Sequence, residues 1–302
     1  MVRRLSPAIT LAASAAIVGL ALSACGSSSL SSNPGATKTA PTASQTVDAN
    51  LAEKLPAKIK AAGKIVVGTD ATYAPNEFLD TDGKTVIGMD VDVFNAVAAK
   101  FGVTVQWQPG KFESIITGVQ SGRYDLSISS LTINAKRKAQ VNMVSYFNAG
   151  TQWATAPGNP KKVDPQKPCG LKVALQKGTT QQQDDMPAKV KACASAGKPI
   201  TLQVYEGQDQ ATAAVATGKA DAMLADSPVV AYAIKQSGGK IEAVGDIYDA
   251  APYGYALPKA DTEFAQAIAD ALKELDASGD YKKILSSWGS EAGAISNFAV
   301  NP

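Results

Sequence analysis

The run Asp125-Leu-Ser-Ile-Ser-Ser-Leu-Thr-Ile-Asn-Ala-Lys-Arg137 ends an apolar strand in Ser129, Ser130 and Thr132 and follows them with a lone arginine. Hydroxyls and open backbone groups at a strand end can hydrogen-bond a polar guest. A guanidinium offers a planar fork of donors that matches the two oxygens of a carboxylate. Together they could hold an ionised small molecule. The same residues also read as a strand running into a loop with a solvated arginine. A second run, Ala220-Asp-Ala-Met-Leu-Ala-Asp226, supplies an opposite charge. Asp226 could accept from a cation, or could cap a helix opening at Ser227-Pro228.

The two runs are linked by an internal echo. Val119-Gln-Ser-Gly122-Arg-Tyr-Asp125 and Val215-Ala-Thr-Gly218-Lys-Ala-Asp221 share a helix end, a glycine stop, a basic residue and an aspartate at the same spacing. Counting on from the aspartates, Ser130 and Asp226 occupy matching strand ends. Two similar lobes facing each other would bring both to one cleft.

Composition excludes much other chemistry. Among 302 residues there is no histidine, which removes Ser-His-Asp and Cys-His nucleophile systems and imidazole zinc sites. Phosphate-loop, dinucleotide-fingerprint and CxxC patterns are missing as well, so no cofactor or metal is expected. Lys and Arg number 29 against 27 Asp and Glu, with no long block of one sign, so nucleic acid is not an expected partner.

The elements that must position these residues alternate. Lys64 to Asp70 reads as a buried strand. Gly88 to Gly102 reads as a helix with Phe94, Val97, Ala98 and Phe101 on one face, acids in its first turn and the terminal glycine as its stop. Val103 to Trp107, Leu126 to Ser130, Leu171 to Leu175, Ile200 to Tyr205 and Asp221 to Leu224 read as strands, with helices near 112–121, after Gly178-Thr-Thr180, near 209–217 and at 261–277. This is an α/β pattern, each lobe a mostly parallel sheet flanked by helices, with ligands expected beyond the carboxyl ends of the strands. Trp153 to Thr155 and Tyr253 to Leu257 would cross between the lobes. The expected division is 1–24 signal peptide, 25–54 lipidated Cys and flexible tether, 55–154 first part of lobe 1, 155–247 lobe 2, and 248–302 the return to lobe 1 with C-terminal helices.

Arg3-Arg4, an Ala-rich apolar stretch and small residues before Cys25 make an export signal too short for a comfortable membrane span. Leu22-Ser-Ala-Cys25 looks like a bacterial lipobox, which implies cleavage before Cys25 and lipid on its sulfur; a simple secreted protein is the alternative. Cys169 and Cys193 remain as an even pair in an exported chain, so one disulfide is expected.

With these residues in view, the chain resembles solute-binding family 3, the polar amino-acid receptors of bacterial ABC importers. The resemblance rests on Gly-Thr-Asp70-Ala-Thr-Tyr73-Ala-Pro75, Gly88-Met-Asp90-Val-Asp92, Ser129-Ser-Leu-Thr132 through Arg137, Gly178-Thr-Thr180, Ala220 to Asp226, and Tyr253-Gly-Tyr-Ala-Leu. It implies a two-lobe periplasmic-binding-protein-like fold of type II, without chemistry of its own. The implied ligand-binding residues are Asp70, Tyr73, Phe112, Ser129, Ser130, Thr132, Arg137, Thr180, Gln181 and Asp226. Arg137 would take the ligand carboxylate, helped by backbone N–H groups at Thr132 and Thr180. Asp226, the Ser130 carbonyl and the Thr132 hydroxyl would take the ammonium. Asp70 would accept from the ligand side chain, with Tyr73 and Phe112 against it. Ser130 stands where glycine is frequent in the family, Met89 where an aromatic is usual, and Asn134-Ala135 where Thr-Pro is common. The Ser-Ser-Leu-Thr and Gly-Thr-Thr-Gln181 forms look most like the histidine and lysine/arginine/ornithine binders, and Gln176 sits where the glutamine binders carry lysine, so a basic or polar amino acid is favoured. The implied partners are an ABC permease and its ATPase, with the receptor a monomer anchored by lipid to the outer face of the cytoplasmic membrane. A dehydratase of prephenate-like acids on the same fold and a sensory lipoprotein are the other classes considered.

Overall fold

The computed structural model describes residues 46–302; the expected signal peptide, Cys25 and most of the expected tether lie outside the described residues. The strands are β1 (Lys64–Thr69), β2 (Thr72–Tyr73), β3 (Glu77–Leu79), β4 (Val86–Ile87), β5 (Thr104–Pro109), β6 (Leu126–Ser127), β7 (Asn142–Thr155), β8 (Lys172–Gln176), β9 (Thr201–Tyr205), β10 (Ala222–Asp226) and β11 (Glu242–Leu257). The helices are α1 (Ala49–Glu53), α2 (Ala57–Ala62), α3 (Met89–Lys100), α4 (Ile115–Gln120), α5 (Ala135–Gln140), α6 (Met186–Ser195), α7 (Gln208–Ala216), α8 (Ser227–Gln236), α9 (Thr262–Ala277) and α10 (Asp280–Trp288).

Eight strands form one sheet in the order β5-β1-β6-β11-β7-β10-β8-β9. Its two ends are parallel, β5-β1-β6 in lobe 1 and β10-β8-β9 in lobe 2, and the antiparallel pair β7 and β11 runs between them. The crossing segments expected at Trp153–Thr155 and Tyr253–Leu257 are thus the ends of much longer strands. β7 is buried along nearly its whole length, so it lacks the alternating pattern that marks a one-sided strand. The ladder between β7 and β11 is interrupted by register shifts between Val244 and Tyr248, Tyr248 and Ala251, and Tyr253 and Gly254. Such irregularities let a strand bend where it passes from one lobe to the other.

The sequence echo has a physical cause. In lobe 1, Asp125 donates its N–H to the Val66 carbonyl at 2.9 Å and accepts the Val66 N–H on Oδ2 at 2.8 Å. In lobe 2, Asp221 makes the same two bonds to Lys172, each at 2.8 Å. Each aspartate, one residue before an incoming strand, therefore clamps the entry of that strand to the neighbouring parallel strand. Gly122 and Gly218, with φ of 73° and 72°, stop the preceding helices in the left-handed conformation that glycine adopts without a Cβ penalty.

Lobe 1 packs α3 and α9 on its sheet, with Phe94, Val97, Phe101, Phe264, Ile268 and Leu272 at most 2 % exposed. Burying each such side chain contributes about 1.5 to 3 kcal/mol. The expected tether ends earlier than residue 54: Asp48 caps α1, and Leu51 and Leu55 enter the lobe 1 core with Ile59. β6 is also shorter than the expected strand to Ser130, because Ser130 has φ +50° and turns the chain out of the sheet.

Cys169 and Cys193 are bonded, tying the segment before β8 to α6. Among the described residues no helix is long and apolar enough to cross a membrane. Closing a loop of this length is expected to stabilise the fold by about 3 kcal/mol, so urea unfolding with and without reductant should differ by about that amount.

Candidate functional site

Asp226 ends β10 and occupies the N-cap position of α8, but its side chain makes no capping bond. It turns instead toward the junction of the lobes. Oδ1 accepts from Gln181 Nε2 at 2.7 Å, Oδ2 accepts from the Tyr253 hydroxyl at 2.7 Å, and the Asp226 N–H donates to the Tyr73 hydroxyl oxygen at 3.1 Å. Three elements converge on one carboxylate: the turn before α6, the crossing strand β11, and β2 of lobe 1. Tyr253 was legible only as part of a strand. Its aromatic neighbours gave no sign that its hydroxyl would face this acid. Burial pushes the Asp226 carboxyl up, while hydrogen bonds from Tyr253, Gln181 and Tyr73 and then the charge of Arg137 pull it back down.

Arg137 lies on α5, which Asn134 caps by accepting the Arg137 N–H at 2.8 Å. Asn134 thus starts the helix without the Thr-Pro pair common at this point. The guanidinium is buried, with Nη1 donating to the Thr132 carbonyl at 2.9 Å and Nη2 reaching the Gly178 carbonyl of lobe 2 at 3.4 Å. The Phe112 ring lies 5.5 Å below it. Among the described residues it makes no ion pair with a carboxylate. Burial pulls its pKa down to about 10, opposed by Asp226, then Asp184 and Tyr73 at longer range, so it stays charged at neutral pH.

Asp70 follows β1. Its Oδ1 accepts from the Thr72 hydroxyl at 2.6 Å, and its Oδ2 accepts from the Phe112 N–H at 2.9 Å and from Gln176 Nε2 at 3.1 Å. Burial raises this carboxyl, partly offset by the bonds from Thr72 and Phe112. Gln176 comes from the end of β8 in lobe 2, and its Oε1 is buried without a partner. Gln176, known from sequence only as a departure from one ligand type, is thus part of the interlobe contact. Thr72 adds another by accepting the Gln208 N–H at 3.1 Å.

The two serine hydroxyls do not face the cleft as the opening pattern suggested. Ser129 Oγ accepts the Asp70 N–H at 2.9 Å, and Ser130 Oγ is held by Asn76 Nδ2 at 2.9 Å and lies 3.2 Å from Glu77 Oε2. Backbone geometry decides this. A residue at φ +50° directs its side chain elsewhere than an extended strand residue would, and spacing alone does not reveal that turn. Thr132 lends its carbonyl to Arg137 and bridges Tyr253 across the sheet edge.

Gly178-Thr-Thr180 leads into a π-helical turn, Gln181–Asp185, before α6 begins. The widened turn brings Gln181 to Asp226 while Asp185 accepts from Tyr248 of β11 at 2.7 Å. π turns of this kind concentrate at functional sites. A cavity of about 200 Å³ opens beside Arg137, with Phe112, Glu113, Asn134, Gly178 and Thr180 in its wall. Asp70, Tyr73 and Asp226 are not in that wall; their polar atoms are engaged across the lobe junction. Ion pairs also span the cleft rim, Lys111 to Glu206 at 3.0 Å and Lys177 to Glu113 at 2.9 Å.

A buried guanidinium on one lobe and a buried carboxylate on the other, joined by two crossing strands, define a two-lobe ligand-trapping protein of the α/β class. Residues 65–291 match the family model described as bacterial extracellular solute-binding proteins, family 3, and the chain belongs to that family. It is 37 % identical over 248 residues to the arginine-binding protein ArgT of Corynebacterium glutamicum, covering 82 % of this chain and 81 % of that one. Among solved structures, an ancestral arginine-binding protein bound to arginine superposes with a TM-score of 0.68 at 32 % identity, covering 75 % of this chain and 98 % of that one. The ancestral amino acid-binding protein AncCDT-1, described as a precursor of cyclohexadienyl dehydratase, gives the same TM-score at 32 % identity, with coverages of 76 % and 97 %.

The carboxyls of Asp70 and Asp226 are raised, and burial takes Asp90 up to about 6. A raised carboxyl contributes stability that is fully present below its unfolded pKa and is lost as pH rises through the folded one. The melting temperature without added ligand should therefore rise as pH is lowered from about 7 through about 6, as scanning calorimetry would show.

Proposed function

We propose that the protein is an exported receptor that closes its lobes on one free amino acid, with arginine the leading candidate, and passes it to an ABC permease and its ATPase. Lipid on Cys25 would hold it at the outer face of the cytoplasmic membrane. The observation that carries the reading is the charge set at the lobe junction: a buried guanidinium with no ion pair among the described residues, and two buried carboxyls, Asp226 and Asp70, that burial disfavours as anions. A basic amino acid carries the complementary set, one carboxylate and two cations. Arg137 would take the carboxylate, with the backbone N–H groups of Thr132 and Thr180. Asp226, the Ser130 carbonyl and the Thr132 hydroxyl would take the α-ammonium. Asp70 would take the side-chain cation, and Gln176 Oε1 adds an acceptor that a multi-donor guanidinium can use. Tyr73 and Phe112 would flank the ligand's aliphatic stem, and Gln181 would give up Asp226 to the ammonium.

The named ligand of the Corynebacterium relative supports the same choice. Binding without chemistry belongs to this reading. Glu113, the glutamate in the cavity wall, is paired with Lys177, and Glu77 is fully buried in lobe 1.

Closure follows from ligand contacts available only when both lobes meet, so the ligand favours the closed state. Calorimetry with arginine, lysine, histidine, ornithine and glutamine should show one saturable site preferring the basic ligands. Arg137→Ala and Asp226→Ala should each lose about 1.5 to 3 kcal/mol, or about 10- to 150-fold in affinity. Asp70→Asn should weaken arginine more than glutamine. Undiminished arginine affinity in Arg137→Ala would overturn the site assignment.

A further inference from the structure

Behind the strand end, wholly inside lobe 1, lies a second acidic group that no ligand contact explains. Glu77 of β3 and Asp90 of α3 are both 0 % exposed, and their carboxyls adjoin, each within reach of the same Ser130 hydroxyl. With both ionised, Glu77 Oε1 and Asp90 Oδ1 would be buried oxygens without a partner. Two adjacent buried anions are strongly disfavoured, and one proton between them serves both oxygens. The remaining Asp90 oxygen, Oδ2, accepts from the Tyr146 hydroxyl and, at 3.3 Å, from the Ser130 N–H. Ser130 Oγ lies 3.4 Å from the same oxygen, 3.2 Å from Glu77 Oε2 and 2.9 Å from Asn76 Nδ2.

The chain is built to hold this pair in place. Asp90 N–H donates to the Asn76 carbonyl at 2.9 Å, tying the start of α3 to the residue before Glu77. At Gly88 the backbone passes so close to Asn76 that a Cβ would lie 2.1 Å from its carbonyl oxygen. Asp70, Tyr73, Tyr146, Tyr253, Tyr255 and Tyr281 act on the pair, and among the described residues no lysine or arginine forms an ion pair with either acid. The proton, rather than an ion pair, is what relieves the two acids. Every bond from this cluster to the strand end lands on Ser130, whose φ of +50° is rare for a residue with a side chain and persists only when its surroundings impose it.

We propose that Glu77 and Asp90 are positioning residues of the ligand site: one proton held between their carboxyls, with Tyr146 and Asn76, fixes Ser130 in its left-handed conformation and so sets the direction of the carbonyl that receives the ligand's ammonium. This rests on the amino-acid reading above for the carbonyl's role, but not for the shared proton.

Two measurements separate these parts. Infrared spectroscopy of the full protein at neutral pH should show a protonated carboxyl stretch that disappears in Glu77→Gln; its absence from the wild type overturns the shared proton whether or not any amino acid binds. Calorimetry with arginine should show Asp90→Leu weakening affinity about tenfold, and Asp90→Leu with Ser130→Gly recovering to within about threefold of wild type, because glycine adopts the positive φ unaided. A merely structural loss would not be recovered by that glycine. Unchanged affinity in Asp90→Leu, or a loss that Ser130→Gly does not recover, overturns the positioning role. Should Asp90→Leu fail to fold, Glu77→Met with and without Ser130→Gly carries the same two expectations. A wild type that binds no amino acid overturns the receptor reading and with it the carbonyl's role, leaving the infrared result to decide the proton.

Discussion

Taking the Asp226 carboxylate out of water is the constraint around which the lobe junction is arranged. A buried charge is tolerated only with donors on its lone pairs, and no single element of this fold supplies enough of them. Gln181 reaches it from the π turn, Tyr253 from a crossing strand, and Tyr73 meets its N–H from the other lobe. The junction is therefore polar and specific rather than greasy. The same logic governs Arg137, which takes two carbonyls and an aromatic face where an anion would be the better partner. Groups satisfied by modest bonds to their own protein can exchange them for stronger, charge-assisted bonds to a zwitterion, and closure then costs little in unmet polarity.

Much of the frame was legible because local rules and the global fold agree. α3 could be bounded from Gly88, Phe94, Val97, Phe101 and Gly102, since its period, first-turn acids and glycine stop all point one way. The Gly122 to Asp125 and Gly218 to Asp221 echo marked two equivalent strand entries, and the clamps on Val66 and Lys172 are the reason that spacing recurs. Asp70, Arg137 and Asp226 are marked by the family resemblance, since on residue type alone a turn cap, a solvated arginine and a helix cap read equally well, and the fold brings all three to the lobe junction.

What was not legible depended on backbone angles and on contacts far apart in sequence. The direction of the Ser129 and Ser130 hydroxyls follows from one positive φ, which a pattern of residue types does not encode. β7 is covered on both sides along nearly its whole length, which suppresses the alternation by which a strand is recognised, whereas β11 is buried only from Tyr253 to Leu257 and its exposed first part shows no core pattern. The meeting of Glu77 with Asp90 brings two acids from a short strand and a helix together at the Ser130 hydroxyl. Read singly, each would pass for an ordinary surface charge. Tyr253 reads only as part of a strand; it is a core aromatic, and its hydroxyl has a second role at Asp226.

The path of β11 also bears on how the chain is assembled. Lobe 1 takes its early strands from one end of the sequence and β11, α9 and α10 from the other, and Tyr253, Phe264, Leu272 and Tyr281 belong to the same core as Ile65 and Phe94. Such connectivity makes contacts of long sequence separation obligatory, which slows folding. A nascent chain threaded outward amino-end first cannot complete that core until its final segment has emerged. Topology alone would then delay compaction, keeping the polypeptide fit for translocation.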